Sequence, residues 1–223
     1  MQTKVMIGVP VHNDRDSFKA MMESLVNSTT HYDKIVIIES GSTDGAKEEC
    51  DWWSHLYPEV KVINTEREGP LKAYNRLFEM AKQEEMDLLL TQTDVLFPKL
   101  YNRDWLKIMS EIAQHDKISV VIPINGGGVS GSDYIDGFEW VGGWCTYYPH
   151  NTIKHVGGYD DKFPNGFGVD IDHSYRCSLI GAIAKLNYWV DHHMQNERAH
   201  DRATDTEEMK QESAKYFKEK WKL

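Results

Sequence analysis

Two patterns alternate over the first 122 residues of the chain with little between them. Short, almost unbroken apolar runs give way to stretches whose apolar residues recur every three or four positions. KVMIGVP (4–10), KIVII (34–38), a short run at 60–63, DLLL (87–90) and ISVVI (118–122) are the runs. Being apolar at consecutive positions, they read as strands covered on both faces. Asp16 to Asn27 carries Phe18, Met21, Met22, Leu25 and Val26 at helical spacing. A second helix is expected to follow ESGSTDG, capped by Ser42 or Thr43 and running to about His55. A third spans Pro70 to Lys82, with Leu71, Tyr74, Phe78 and Ala81 on one face. A fourth is expected from about Pro98 to Gln114. Strands and helices in this order imply helical crossovers between parallel strands, and so an α/β fold with a central, mostly parallel sheet flanked by helices. Such sheets bind ligands beyond the carboxyl ends of their strands. That rule selects the loops VHND (11–14), ESGSTDG (39–45) and TQTD (91–94), all polar and all carrying carboxylates.

The second half changes character. Residues 125 to 168 are rich in glycine and aromatics, which suggests loops and short strands forming a second binding surface. A helix is expected from about Asp170 to Leu179, then a strand KLNYWV, and a polar helix from Thr204 to Trp221. With no linker visible, one domain over 1–223 is expected, comprising a ligand-binding half (1–122), a second half (123–203) and the terminal helix (204–223).

Composition excludes several alternatives. The net charge of -10 disfavours nucleic acid and anionic lipid as partners. No apolar run reaches the length of a membrane span, and the N-terminus reads as a strand and not a secretory signal. Cys50, Cys145 and Cys177 are too few and scattered for a disulfide framework or zinc knuckle. A cytoplasmic protein with small buried thiols is the expectation. No G-x-G-x-x-G follows the first strand, which argues against a dinucleotide-binding oxidoreductase.

Five segments in order resemble the family 2 type of glycosyltransferase with the GT-A fold. They are MIGVPVHND, IVIIESGSTDGA, GPLKAYNRLFEMA, DLLLTQTDVLFP, and VGGYDDKF followed by FGVDIDHSYR. The resemblance covers roughly residues 4 to 195. It implies an enzyme that moves a sugar from a nucleotide-diphosphate donor, a UDP-sugar first among candidates, to a hydroxyl acceptor with inversion.

The same resemblance assigns roles. Pro10, His12, Asn13 and Asp14 would contact the donor base, and Glu39 and Ser40 would bond its edge. The family usually has two consecutive acids there; Ser40 replaces the second. Lys72 is either a group that neutralises phosphate or a solvated helix lysine. Asp94 is the lone carboxylate of the loop that in the family holds Mg²⁺ or Mn²⁺ against the diphosphate. His192, with His193 as the alternative, would be a further ligand, and an imidazole favours Mn²⁺. Asp170 occupies the position of the catalytic base, with Val169 where an acid usually precedes it. Asp172 and Arg176, four apart on one helical face, would pair and fix that helix. Apart from the resemblance, Trp140, Gly142, Gly143, Trp144 and Tyr147 have two readings: acceptor-site residues, since aromatic faces stack on sugars, or core packing. Two other readings stand beside this one. One is a degenerate protein that binds a nucleotide-sugar without transfer. The other is a virus-type transferase acting on hydroxylated bases in DNA.

Overall fold

The structure is a computed structural model that describes residues 3–125, 138, 140–166, 168–192 and 207–223. His193 and the Gly-rich run at 126–131 lie outside the described residues. The expected alternation is present as β1 (Val5–Val11), α1 (Arg15–Ser28), β2 (Lys34–Ser40), α2 (Ala46–Leu56), β3 (Val60–Thr65), α3 (Pro70–Gln83) and β4 (Asp87–Thr91). There follow β5 (Val95–Leu96), α4 (Trp105–Ala113), β6 (Ile118–Pro123), β7 (Cys145–Tyr148), α5 (His150–Val156), α6 (Val169–Ser178), β8 (Ala182–Leu186), β9 (Asp191–His192) and α7 (Glu207–Trp221).

Seven strands form one sheet in the order β3-β2-β1-β4-β7-β6-β8. Only β7 runs against its neighbours, β4 and β6; the other pairings are parallel. The sheet's period of two sorts its side chains into two cores. Val5, Ile7, Val9, Ile35, Ile37, Leu89 and Val121 face α1, α2 and α4. Met6, Val36, Ile38, Leu88, Leu90, Val120 and Ile122 face α3, α5 and α6. Each buried aliphatic side chain contributes about 1.5–3 kcal/mol, so consecutive apolar residues are what a doubly covered strand requires. Gly8 lies where α3 comes closest: a Cβ there would sit 2.9 Å from Leu77 Cδ1.

Strands are added outward from β1 to β3, and the chain then returns across the opposite face to place β4 on the other side of β1. Right-handed crossovers require the helices to change face at such a reversal. The carboxyl ends of β1 and β4 therefore diverge into a crevice. A third, small core of Phe163, Ile171 and Phe217 fixes α7 against α6 and the 3₁₀ turn Pro164–Gly166.

Several local expectations differ from the structure. Helix α4 starts at Trp105 and not Pro98, because Asp104 accepts the N–H groups of Leu106 (3.0 Å) and Lys107 (3.1 Å) and so caps it. Neither Ser42 nor Thr43 caps α2. Gly45 holds that position at φ 91, and Asp44 Oδ1 accepts from Ala46 N (3.0 Å). The expected strand KLNYWV is broken: β8 ends at Leu186, the chain turns, and β9 pairs antiparallel with β5. Helix α5 and strand β7 were hidden in the Gly- and aromatic-rich half. The three cysteines are free and buried, as expected. Among the described residues, no helix is long and apolar enough to cross a membrane.

Candidate active site

Loops from β1, β2 and β4 are tied together at the crevice. Asn13, at φ 48, is the joint between the first two. Its N–H donates to Ser42 Oγ (3.0 Å), while its Oδ1 accepts from Thr43 N (2.8 Å). His12 Nδ1 meets Ser40 O (2.7 Å), and Arg15 N donates to Asp44 Oδ2 (2.9 Å). Asp14 is buried at the start of α1, and its Oδ2 accepts from Thr93 Oγ1, which joins the first loop to the fourth-strand loop. Pro10 is half-buried at the end of β1, opposite Ile38.

Glu39 and Ser40 are turned to building the corner. Glu39 is 1% exposed and its Oε1 accepts from Ser42 N (2.6 Å). Ser40 is buried, with its hydroxyl 3.4 Å from Thr65 Oγ1. Asn13, Arg15, Thr43 and Asp44 of this corner are exposed, whereas Glu39 and Ser40 are not. Lys72 is exposed on α3.

The fourth-strand loop brings Asp94 to His192. The register Val95↔His192 between β5 and β9 sets them side by side, with Asp94 Oδ2 3.5 Å from His192 Nε2. The imidazole lies flat on Trp144, with centroids 4.6 Å apart and planes at 11°. Asp94 Oδ1 and His192 Nε2 are both buried without a hydrogen-bond partner. Two such atoms on side chains that meet at 3.5 Å suit a divalent cation. Among the described residues no three acidic, imidazole or thiol groups converge to hold a metal.

Gly142 and Gly143 make room beside this pair. A Cβ on Gly142 would collide with the Trp144 indole, and one on Gly143 would lie 2.8 Å from the Tyr159 hydroxyl. Trp144 is itself anchored by its carbonyl, which accepts from Gln92 N (3.0 Å). Trp140 is half-buried against the third core. Tyr147 belongs to the main core: it is fully buried and donates to Asp87 Oδ2 (2.6 Å), so it is not an acceptor-facing ring.

Asp170 sits in the first turn of α6, half-buried, and its Oδ1 accepts from Ile171 N (3.0 Å). Burial pushes its carboxyl up to about 6, against the lowering effect of that bond and of its own N–H. Its charge reaches two buried tyrosines, Tyr148 and Tyr159. Burial raises both phenols, and the charge of Asp170 adds to the rise.

Asp172 is fully buried and pairs with Arg176 (2.9 Å), as the spacing predicted. Arg176 also donates to the carbonyls of Val156 (2.7 Å) and Gly158 (2.8 Å), so it fixes the turn before Tyr159. Sequence reasoning missed three supports. Asn75 on α3 clamps the backbone of Tyr159, donating to its O (2.9 Å) and accepting from its N (2.7 Å). His173 packs among Phe78, Tyr148 and Tyr159 and is held neutral by burial, which lowers it to about 3. Lys220 and Trp221 of α7 reach Asp172. The only signal for the last two was a cluster of basic residues ending an acidic chain.

Comparison with known proteins agrees with this architecture. The chain is 31% identical over 98 residues to the uncharacterized glycosyltransferase YibD of Escherichia coli (strain K12), a match over 44% of this chain and 28% of that protein. It superposes on the mannosyltransferase PcManGT of Pyrobaculum calidifontis, solved with GDP-Man and Mn²⁺, with a TM-score of 0.63 and 16% identity. That likeness covers 83% of this chain and 55% of the other. It also superposes on TarS 1-349 of S. aureus in complex with UDP-GlcNAc, with a TM-score of 0.60, 18% identity, and coverage of 82% and 56%. The chain thus spans under a third of the YibD sequence and a little over half of these two structures. The structural likenesses show the GT-A fold. The Glycosyl transferase family 2 profile matches residues 6–134, more than half of the chain, and the chain belongs to that family.

Proposed function

We propose that the chain transfers a glycosyl unit from a nucleotide-diphosphate sugar to a hydroxyl acceptor with inversion, and that Asp170 is the base. The observation that carries this is the carboxyl of Asp170, held in the first turn of α6 and raised to about 6. An inverting transfer needs a group that takes the acceptor's proton while its oxygen attacks the anomeric carbon from the side opposite the diphosphate. Asp170 Oδ1 is engaged by Ile171 N, which orients the carboxylate that would receive that proton. The bond from sugar to diphosphate breaks as the new bond forms, and the nucleoside diphosphate leaves with the bonding pair.

The donor lies across the mouths of β1, β2 and β4 in this reading, with its base near the corner made by Asn13, Ser42 and Thr43. Asp94 and His192 would hold a divalent ion, whose contribution when bound is to offset the charge gathering on the leaving diphosphate. The open Asp94 Oδ1 and His192 Nε2 support that fit, and the imidazole favours Mn²⁺ over Mg²⁺. The mannosyltransferase solved with GDP-Man and Mn²⁺ supports the same pairing of nucleotide-sugar and metal. Trp144, Gly143 and Trp140 border the side from which an acceptor would approach.

The test is hydrolysis of UDP- and GDP-sugars with Mn²⁺ by wild type and Asp170→Asn. A loss of about 10²-fold or more in the variant, with nucleotide binding retained in a thermal-shift titration, is expected. Equal rates would remove the base. Binding without turnover in both would leave a nucleotide-sugar binder.

A further inference from the structure

We propose that Lys220, at the end of α7, is a positioning residue for the transfer site, acting on α6 through Asp160 and Asp172. This role presupposes that Asp170 is the base. Asp172 is 0% exposed, and a carboxylate taken out of water must have its lone pairs satisfied. Arg176 Nε serves Oδ2. Oδ1 is served from α7, by Trp221 Nε1 at 2.9 Å and Lys220 Nζ at 2.7 Å. The same ammonium lies 2.8 Å from Oδ2 of Asp160, the residue after Tyr159. Burial alone would raise the Asp160 carboxyl, but Lys220, the N–H of Lys162 and the Tyr216 hydroxyl outweigh it and hold the group below its ordinary range.

Lys220 therefore joins the loop after Tyr159 to the first turn of α6, the turn that carries Asp170. Two carboxylates face two cations, Arg176 and Lys220, so the cluster is neutral. It is also sheltered: Lys220 is 25% exposed, Phe217 is fully buried, and Tyr175 and Trp221 meet edge to face at 4.8 Å. A lysine ending a solvated helix would be screened and loosely placed. This one is enclosed by aromatic rings, and its withdrawal leaves Asp160 without its cation and Asp172 with one cation fewer, at the point where the base is held.

The experiment compares Lys220→Ala, Lys220→Arg, Trp221→Phe and Asp170→Asn in the whole chain. It reads donor hydrolysis kinetics and amide exchange over Gly168–Ser174. Lys220→Ala is expected to lower kcat about tenfold or more with KM for the donor unchanged, since misplacing a reacting group costs rate and not binding. Exchange in the first turn of α6 should quicken, and Lys220→Arg should restore both. Should Lys220→Ala fail to fold, Trp221→Phe keeps the ring contacts, removes one donor to Asp172 and is expected to show the same split in milder form. Unchanged kcat in the folded Lys220 and Trp221 variants, with Asp170→Asn inactive, overturns the positioning role and leaves the base standing. Loss of kcat and KM together, in step with melting temperature, overturns it too. Full activity in Asp170→Asn removes both.

Discussion

A carboxyl that must take a proton near neutrality works better if its affinity for protons is raised toward the working pH. Burial does this to Asp170, and the backbone N–H groups of Ile171 and of Asp170 itself only partly offset it. Only the ionised form can accept a proton, so hydrolysis should fall about tenfold per pH unit below about 6 and level off above it. A rate profile flat down to pH 5 would contradict the assignment. The place of Asp170 at a helix start was legible from VGGYDDKF and FGVDIDHSYR. Its environment was not, because Tyr159 is a loop aromatic that could equally have faced water. Asp94 was legible as the lone carboxylate of its loop. The pairing that sets His192 beside Asp94 rests on a two-residue strand whose register no pattern announces, and nothing in the sequence signals the Trp144 face beneath the imidazole.

At the scale of elements, the apolar runs of β1, β2, β4 and β6 were legible because a strand covered on both faces leaves no other solution. The ends of helices were less so. Pro98 resembles a first-turn proline, yet α4 begins seven residues later at a cap that also serves a distant segment. Asp104 accepts from Thr29 Oγ1 (2.6 Å) and Thr30 N (2.9 Å) besides Leu106 and Lys107. Burial would raise its carboxyl, but these four donors keep it below the ordinary range. Asp104→Ala removes a helix cap and uncouples the α1–β2 connection from α4. A loss of about 2–4 kcal/mol is expected from the cap and the stranded donors together. The urea midpoint at constant m-value measures it. A change under about 0.5 kcal/mol would show that water replaces the carboxylate at no cost. The lock between α7 and α6 was illegible for a related reason: its partners lie 48 to 60 residues apart in sequence, and neither end has periodicity that names the other.

Over the whole molecule, two buried groups pull stability in opposite directions with pH. The folded-state pKa of Asp170 is about 6 against an ordinary value of 3.8, so the folded chain holds a proton that the unfolded chain releases. Its contribution is greatest below about pH 4 and is lost as pH rises through 6. For His173 the folded value is about 3 against 6.5, and here the unfolded chain takes a proton that the folded chain refuses. Stability from this group is full above 6.5 and is lost as pH falls toward 3. Between pH 4 and 6 the two slopes oppose each other in the wild type. Asp170→Asn removes the first and leaves the second. At pH 7.5 the variant should be more stable by on the order of 1–3 kcal/mol, since an Asn avoids the cost of a buried charge. From pH 6.5 to 4.5 its melting temperature should fall more steeply than that of wild type. Below pH 4 both should decline, as Asp104 and Asp160, held below their ordinary range, take up protons. Melting curves at one-unit intervals from pH 3.5 to 7.5 separate these regimes. Parallel curves for the two proteins, or a variant less stable at pH 7.5, would mean that Asp170 is solvated and that no stability is given up to hold its carboxyl at the start of α6.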